Sequence, residues 1–148
     1  MEAPPVTSVE MLPMRLLCAD DEEDIRAILD LALGLDPTLE VEIVPSGVAV
    51  LERVTSGTFD AILLDAMMPG LDGYETCRRL KADPATAHLP VVFLTAKTLR
   101  EERQRAADAG ATGCLTKPFN PMTIAAELRA ALDRGSGILD RARGERPG

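Results

Sequence analysis

Aromatic side chains are scarce in this chain. It has no tryptophan, one tyrosine and three phenylalanines in 148 residues. Leucine, valine, isoleucine and alanine must therefore fill most of any core. Histidine is scarcer still, and a lone His88 argues against a His-based catalytic triad or a multi-histidine metal centre. The three cysteines, Cys18, Cys77 and Cys114, have no metal-ligand spacing, and an odd number suits no closed disulfide framework. They read as free thiols in a reducing, cytoplasmic setting, with Cys114 a small filler rather than a redox sensor. The opening residues, MEAPPVTSVEMLPM, lack the basic and apolar stretches of a signal peptide. No apolar run is long enough to span a bilayer. Basic residues number 16 against 24 acidic ones, a net charge of −8, which disfavours nucleic acid and anionic membranes as partners.

What is present is 46% hydrophobic and 27% charged, the balance of one soluble globular domain with a full core. Residues 1–13 hold three prolines and no periodicity and read as a flexible arm. Strands are expected at Met14–Ala19, Val41–Val44, Ala61–Leu64, Pro90–Leu94 and Gly113–Thr116. Between them lie helical patterns. The first has the stripe Ile25, Ile28, Leu29, Ala32 and Leu35, with Asp20 or Asp21 as its cap. The second follows Ser46, and the third follows Asp72 with Cys77 and Leu80 inward. The fourth, Arg100–Ala109, is highly charged and buries little beyond Ala106 and Ala109. The last is capped by Asn120, with Pro121 at its first position and Ile124, Leu128, Ala131 and Leu132 inward. From Gly135 onward the composition reads as a flexible tail, residues 135–148. Five strands alternating with five helices through short connections demand right-handed crossovers and a parallel sheet covered on both faces. The domain is thus expected at 14–134.

The ends of these strands carry the chemistry. The first ends at Asp20-Asp21, the third at Asp65, the fourth at Thr95 and the fifth at Lys117. In a parallel sheet these ends share one edge, where open α/β sheets place their ligand sites. Carboxylates packed together repel by roughly 4 kcal/mol per pair at 4 Å in an effective dielectric near 20. Lys117 offsets part of that, and an oxygen-only site of this kind suits Mg²⁺. A carboxylate oxygen can act as a nucleophile toward phosphorus, giving an acyl phosphate. Lys117, the metal and the Thr95 hydroxyl would steady the phosphoryl oxygens. No side chain here is an obvious base for activating water, which suits a lasting signal better than rapid turnover.

At these residues the chain resembles the receiver domains of response regulators in two-component signalling. The resemblance covers roughly residues 14 to 134. It rests on Asp20-Asp21, LLDAMMPGLDG, VVFLTA with Thr95, and LTKPF with Lys117, in matching order and spacing. It implies a flavodoxin-like, doubly wound α/β fold with strand order 2-1-3-4-5 and a cis bond between Lys117 and Pro118. It further implies that Asp65 accepts a phosphoryl group from a histidine kinase or histidine phosphotransfer protein. Asp21 would bind Mg²⁺ directly, Asp20 through water, and the Met67 carbonyl would complete the protein ligands with Asp65. Thr95 and Lys117 would contact the phosphoryl group. The face formed by the fourth helix, fifth strand and last helix would meet a downstream target. The first helix, with Glu22, Glu23, Asp24 and Arg26, would meet the phosphodonor.

One position departs from the pattern. The family usually carries Tyr or Phe three residues before the lysine, and here Cys114 stands there. That aromatic normally turns inward as the Thr hydroxyl moves, so the switch through Thr95 and Cys114 is expected to be weakened or done differently. Lys97 and Met67 flank the phosphoryl position and would tune the lifetime of the acyl phosphate. The resulting expectation is a cytoplasmic, single-domain response regulator, not an enzyme, that signals by protein contact. Its tail is too short for an output domain. The rival readings are a receiver-like adaptor that is never phosphorylated, and an aspartyl-phosphate phosphatase. The latter needs an acid two residues after its nucleophile, where this chain has Met67.

Overall fold

Two inner strands, β3 (Ala61–Asp65) and β4 (Val91–Thr95), are buried along their whole length, and that dictates a sheet covered on both faces. The computed structural model of the protein describes residues 13–96 and 100–144, with side chains of the last helix described through residue 134. Among these residues the order is β1 (Met14–Ala19), α1 (Glu23–Gly34), β2 (Leu39–Val44), α2 (Gly47–Ser56), β3 (Ala61–Asp65), α3 (Gly73–Ala82), β4 (Val91–Thr95), α4 (Arg100–Asp108), β5 (Gly113–Thr116) and α5 (Ile124–Gly144). All strand pairs are parallel. The sheet order is β2-β1-β3-β4-β5, as the resemblance implied. The Lys117–Pro118 bond is cis. No helix among the described residues is long and apolar enough to cross a membrane.

Alternate residues of each strand feed two separate cores. Leu17, Ile62, Leu64, Val91 and Phe93 pack with Val50, Cys77, Leu80 and Ala106, on the side of α2, α3 and α4. Leu16, Cys18, Leu63, Val92 and Leu94 pack with Leu29, Leu33, Ile124 and Leu128, on the side of α1 and α5. Strands buried on both faces read as continuous apolar runs, which is why β1, β3 and β4 stand out in the sequence.

Several helix details differ from expectation. In α1 the buried residues are Leu29, Ala32 and Leu33, with Ile25 packed beside them, while Ile28 and Leu35 are exposed. The helix ends at Gly34, so Leu35 lies past the last turn and cannot continue the stripe. Its N-cap is Glu22, with no side-chain cap; neither Asp20 nor Asp21 fills that role. Ser46 and Asp72 do cap α2 and α3, accepting from the N–H groups of Ala49 and Glu75. Asn120 accepts from the Met122 N–H at 2.9 Å, but residues 121–123 form turns and regular helix begins at Ile124. The helix then continues past Gly135, where the sequence suggested a tail, to Gly144. The arm at residues 1–12, Lys97 and residues 145–148 lie outside the described residues.

Candidate functional site

The carboxyl ends of the strands are pinned to one another by backbone hydrogen bonds, and this brings the polar residues together. The Asp20 N–H donates to the Val44 carbonyl, that of Ala66 to Leu94 and that of Lys117 to Thr95. Each of the three bonds carries the sheet ladder to, or one residue beyond, a strand end. Asp20 follows β1, Asp65 ends β3, Thr95 ends β4, and Lys117 follows β5.

One carboxylate oxygen from each of Asp20, Asp21 and Asp65 lies within 4.8 Å of the others. Lys117 Nζ is 3.2 Å from Asp20 Oδ2 and 3.4 Å from Asp65 Oδ2. Asp20 is fully buried and Asp65 is 4% exposed, whereas Asp21 is half-buried. The expected capping role of Asp20 gives way to this arrangement. Its Oδ1 accepts from the Glu22 N–H at 2.9 Å while its other oxygen faces Lys117. Arg26, on the first turns of α1, donates to the Asp20 carbonyl at 3.0 Å.

Three carboxylates around one ammonium leave the site electron-rich. Burial, and next the charge of Asp20, push the Asp65 carboxyl up to about 6. Lys117 and the Met67 N–H act in the opposite direction without cancelling the effect. Burial alone would lower the Lys117 ammonium, but the carboxylates of Asp65 and Asp20 outweigh it and raise it. Lys117 is therefore a fixed cation at neutral pH. The three-carboxylate, oxygen-only donor set fits a hard divalent cation such as Mg²⁺.

Behind Asp65 the chain turns sharply. The Met67 N–H donates to Asp65 Oδ1 at 3.3 Å, and Gly70 takes a positive φ of 75°. Met67 projects to solvent at 65% exposure, while its neighbour Met68 is buried in the core. Gly73 opens α3 directly under the site. A Cβ there would stand 2.3 Å from the Asp65 carbonyl oxygen and 2.9 Å from the Ala66 Cα, so the helix can approach only without a side chain. Asp72-Gly73 was legible as a helix start, but nothing in the sequence marks Gly73 as a support of Asp65.

All three cysteines are free thiols. Cys18 and Cys77 are buried, and burial pushes the Cys77 thiol up to about 11. Cys114 is half-buried against the core on the α2–α4 side, its thiol likewise raised by burial. His88 is exposed. A cavity of about 290 Å³ lies beside the site, lined by Met67, Thr95, Ala96, Glu102 and Arg105. Glu102 and Arg105 were not singled out by sequence reading.

A five-stranded 2-1-3-4-5 sheet with this acidic cluster and a lysine at its carboxyl edge defines a receiver domain. The sequence profile of the response regulator receiver domain matches residues 16–129, and the chain belongs to that family. Such domains are the phosphoacceptor modules of two-component signalling. Response regulator PleD of Caulobacter vibrioides is 38% identical over 129 residues, covering 87% of this chain and 28% of PleD. Response regulator MprA of Mycobacterium sp. (strain KMS) is 38% identical over 125 residues, covering 84% of this chain and 53% of MprA. The chain thus spans between about a quarter and about half the length of these relatives. The chemotaxis response regulator CheY4 of Vibrio cholerae superposes with a TM-score of 0.74 at 32% identity, over 80% of this chain and 98% of that one.

Proposed function

We propose that the protein accepts a phosphoryl group on Asp65, in a Mg²⁺-dependent transfer from the phosphohistidine of a kinase or phosphotransfer protein. The observation that carries this reading is the meeting of three aspartate carboxylates and Lys117 at one edge of the sheet. An Asp65 oxygen attacks phosphorus, a P–O bond forms and the P–N bond to histidine breaks. The released imidazole nitrogen takes up a proton. Lys117 neutralises a phosphoryl oxygen as charge moves, and the Thr95 hydroxyl donates to another. Asp20, Asp21, Asp65 and the Met67 carbonyl would hold Mg²⁺, which would withdraw charge from the phosphoryl oxygens.

Attack requires ionised Asp65, so the push toward about 6 leaves it mostly deprotonated near neutrality while preserving nucleophilicity. The acyl phosphate then shifts a conformational equilibrium and changes affinity for a target protein at the α4–β5–α5 face. Free thiols and a kinase-fed phosphodonor suit a cytoplasmic location. The domain is a regulator rather than an enzyme that turns over an external substrate. Incubation with Mg²⁺ and a small acyl-phosphate donor, followed by intact mass, tests this. Wild type gains one acid-labile phosphoryl group and Asp65→Asn gains none. A wild-type chain that stays unmodified contradicts the reading.

A further inference from the structure

β5 lacks the ring expected of it, and a different ring occupies the neighbourhood. Cys114 pairs in register with Phe93 of β4, so both face the α2–α4 layer. The ring lying against Phe93 is that of Tyr74 on α3, with centroids 4.9 Å apart and a tilt of 44°. Tyr74 is 1% exposed, yet it reaches α4 twice. Its hydroxyl donates to Glu102 Oε1 at 3.3 Å, and the Arg105 guanidinium sits 4.0 Å above its ring. Glu102 and Arg105 are three residues apart, one turn of the same helix.

Those two residues also bound the cavity that Met67, Thr95 and Ala96 complete. Thr95 lies two residues beyond Phe93, on the same face of β4. One space thus joins the end of the phosphoryl site to the side chains that grip Tyr74. Within α4 itself Ala106 is the buried apolar residue, with Ala109 buried just past its end, so the contacts to Tyr74 add to a small apolar seat. At 3.3 Å the hydrogen bond is long for a charged acceptor.

Resting on the phosphoacceptor reading, we infer that Tyr74 is the ring that couples Asp65 to α4 in this chain, in place of an aromatic on β5. As Thr95 is drawn toward a phosphorylated Asp65, the cavity beside Glu102 and Arg105 is reshaped. The two side chains let go of Tyr74, and α4 moves on its loosened seat.

The composition supplies a direct probe. With one tyrosine and no tryptophan, intrinsic emission reports Tyr74 alone. The full chain is treated with Mg²⁺ and a small acyl-phosphate donor, and intact mass and emission are followed together. Emission rises in step with the adduct as the Glu102 and Arg105 contacts are lost, and Asp65→Asn shows neither change. In Tyr74→Phe, hydrogen exchange of the Arg100–Asp108 amides quickens roughly tenfold in the resting state, the equivalent of one lost charge-assisted hydrogen bond. An adduct formed with unchanged Tyr74 emission overturns the inference alone. So does a Tyr74→Phe variant that loses protection equally in β1 and β3, since Tyr74 is then only a packing residue. Absence of any adduct overturns the phosphoacceptor reading and the inference with it.

Discussion

Asp65 is held in a surrounding that suits reaction and opposes stability. It is nearly buried, shares its site with Asp20 and Asp21, and has Lys117 as the ammonium beside it. Removing its charge should relieve repulsion that the fold otherwise carries. Asp65→Asn is expected to stabilise the metal-free protein by about 1–2 kcal/mol, the usual exchange of function for stability. Mg²⁺ should raise the melting temperature of the wild type more than that of Asp65→Asn, because binding to the native state stabilises it and the variant lacks the charge of one proposed ligand. Thermal melts with Mg²⁺ and with chelator check both. Asp20, Asp65, Thr95 and Lys117 were legible because each sits at or just past an apolar strand, and strand ends converge. Tyr74 was not, because its partners Glu102 and Arg105 come from a helix that sequence alone places only loosely.

At the scale of elements, close approach decides more than propensity. α3 begins with Gly73 against the backbone of Asp65, with no room for a Cβ. Gly73→Ala should cost about 1–3 kcal/mol through overpacking. It should also slow phosphorylation, because the displaced backbone belongs to the proposed nucleophile. Urea denaturation and the rate of adduct formation check the two effects, and an unperturbed rate would show that α3 does not position Asp65. Gly47 of α2 is similarly tight, its Cβ position lying 2.2 Å from Thr76 Oγ1 and 2.8 Å from the Leu71 carbonyl. Strands and helices were readable from periodicity and turn residues, but their ends were less so. The α1 stripe misled at Leu35 because periodicity does not register where a helix stops. The cap expected of Asp20 or Asp21 failed because Asp20 is committed to Glu22 and Lys117, a constraint from 97 residues away.

For the whole molecule, two surface pairs tie distant parts together and make stability depend on pH. Arg129 of α5 holds Asp36 beyond α1 at 3.2 Å, and Arg53 of α2 holds Glu42 of β2. Hydrogen bonds from Thr38, and more weakly Arg129, lower Asp36, while the hydrogen bond from Arg53 lowers Glu42. A lowered carboxylate means the unfolded chain binds more protons. This stabilisation is therefore complete above the ordinary carboxylate range near 4, and is lost as pH falls through the folded-state values below it. Asp36→Asn should flatten the acid limb of a stability–pH profile relative to wild type; an unchanged slope would mean that the pair contributes nothing. The strand order is a different matter. Alternation of strand and helix demanded a parallel sheet, but the order 2-1-3-4-5 came only from the family resemblance, since periodicity is silent about which strands are neighbours.

The central claim is that Asp65, among three clustered aspartates, is the residue that becomes the acyl phosphate. Borohydride reduction of the phosphorylated chain converts an aspartyl phosphate to homoserine, and peptide mass mapping locates it. The expected product carries homoserine at position 65, in the tryptic peptide spanning residues 54–78, with Asp20 and Asp21 intact. Homoserine at position 20 or 21, or an unmodified 54–78 peptide from a chain shown to be phosphorylated, would contradict the claim.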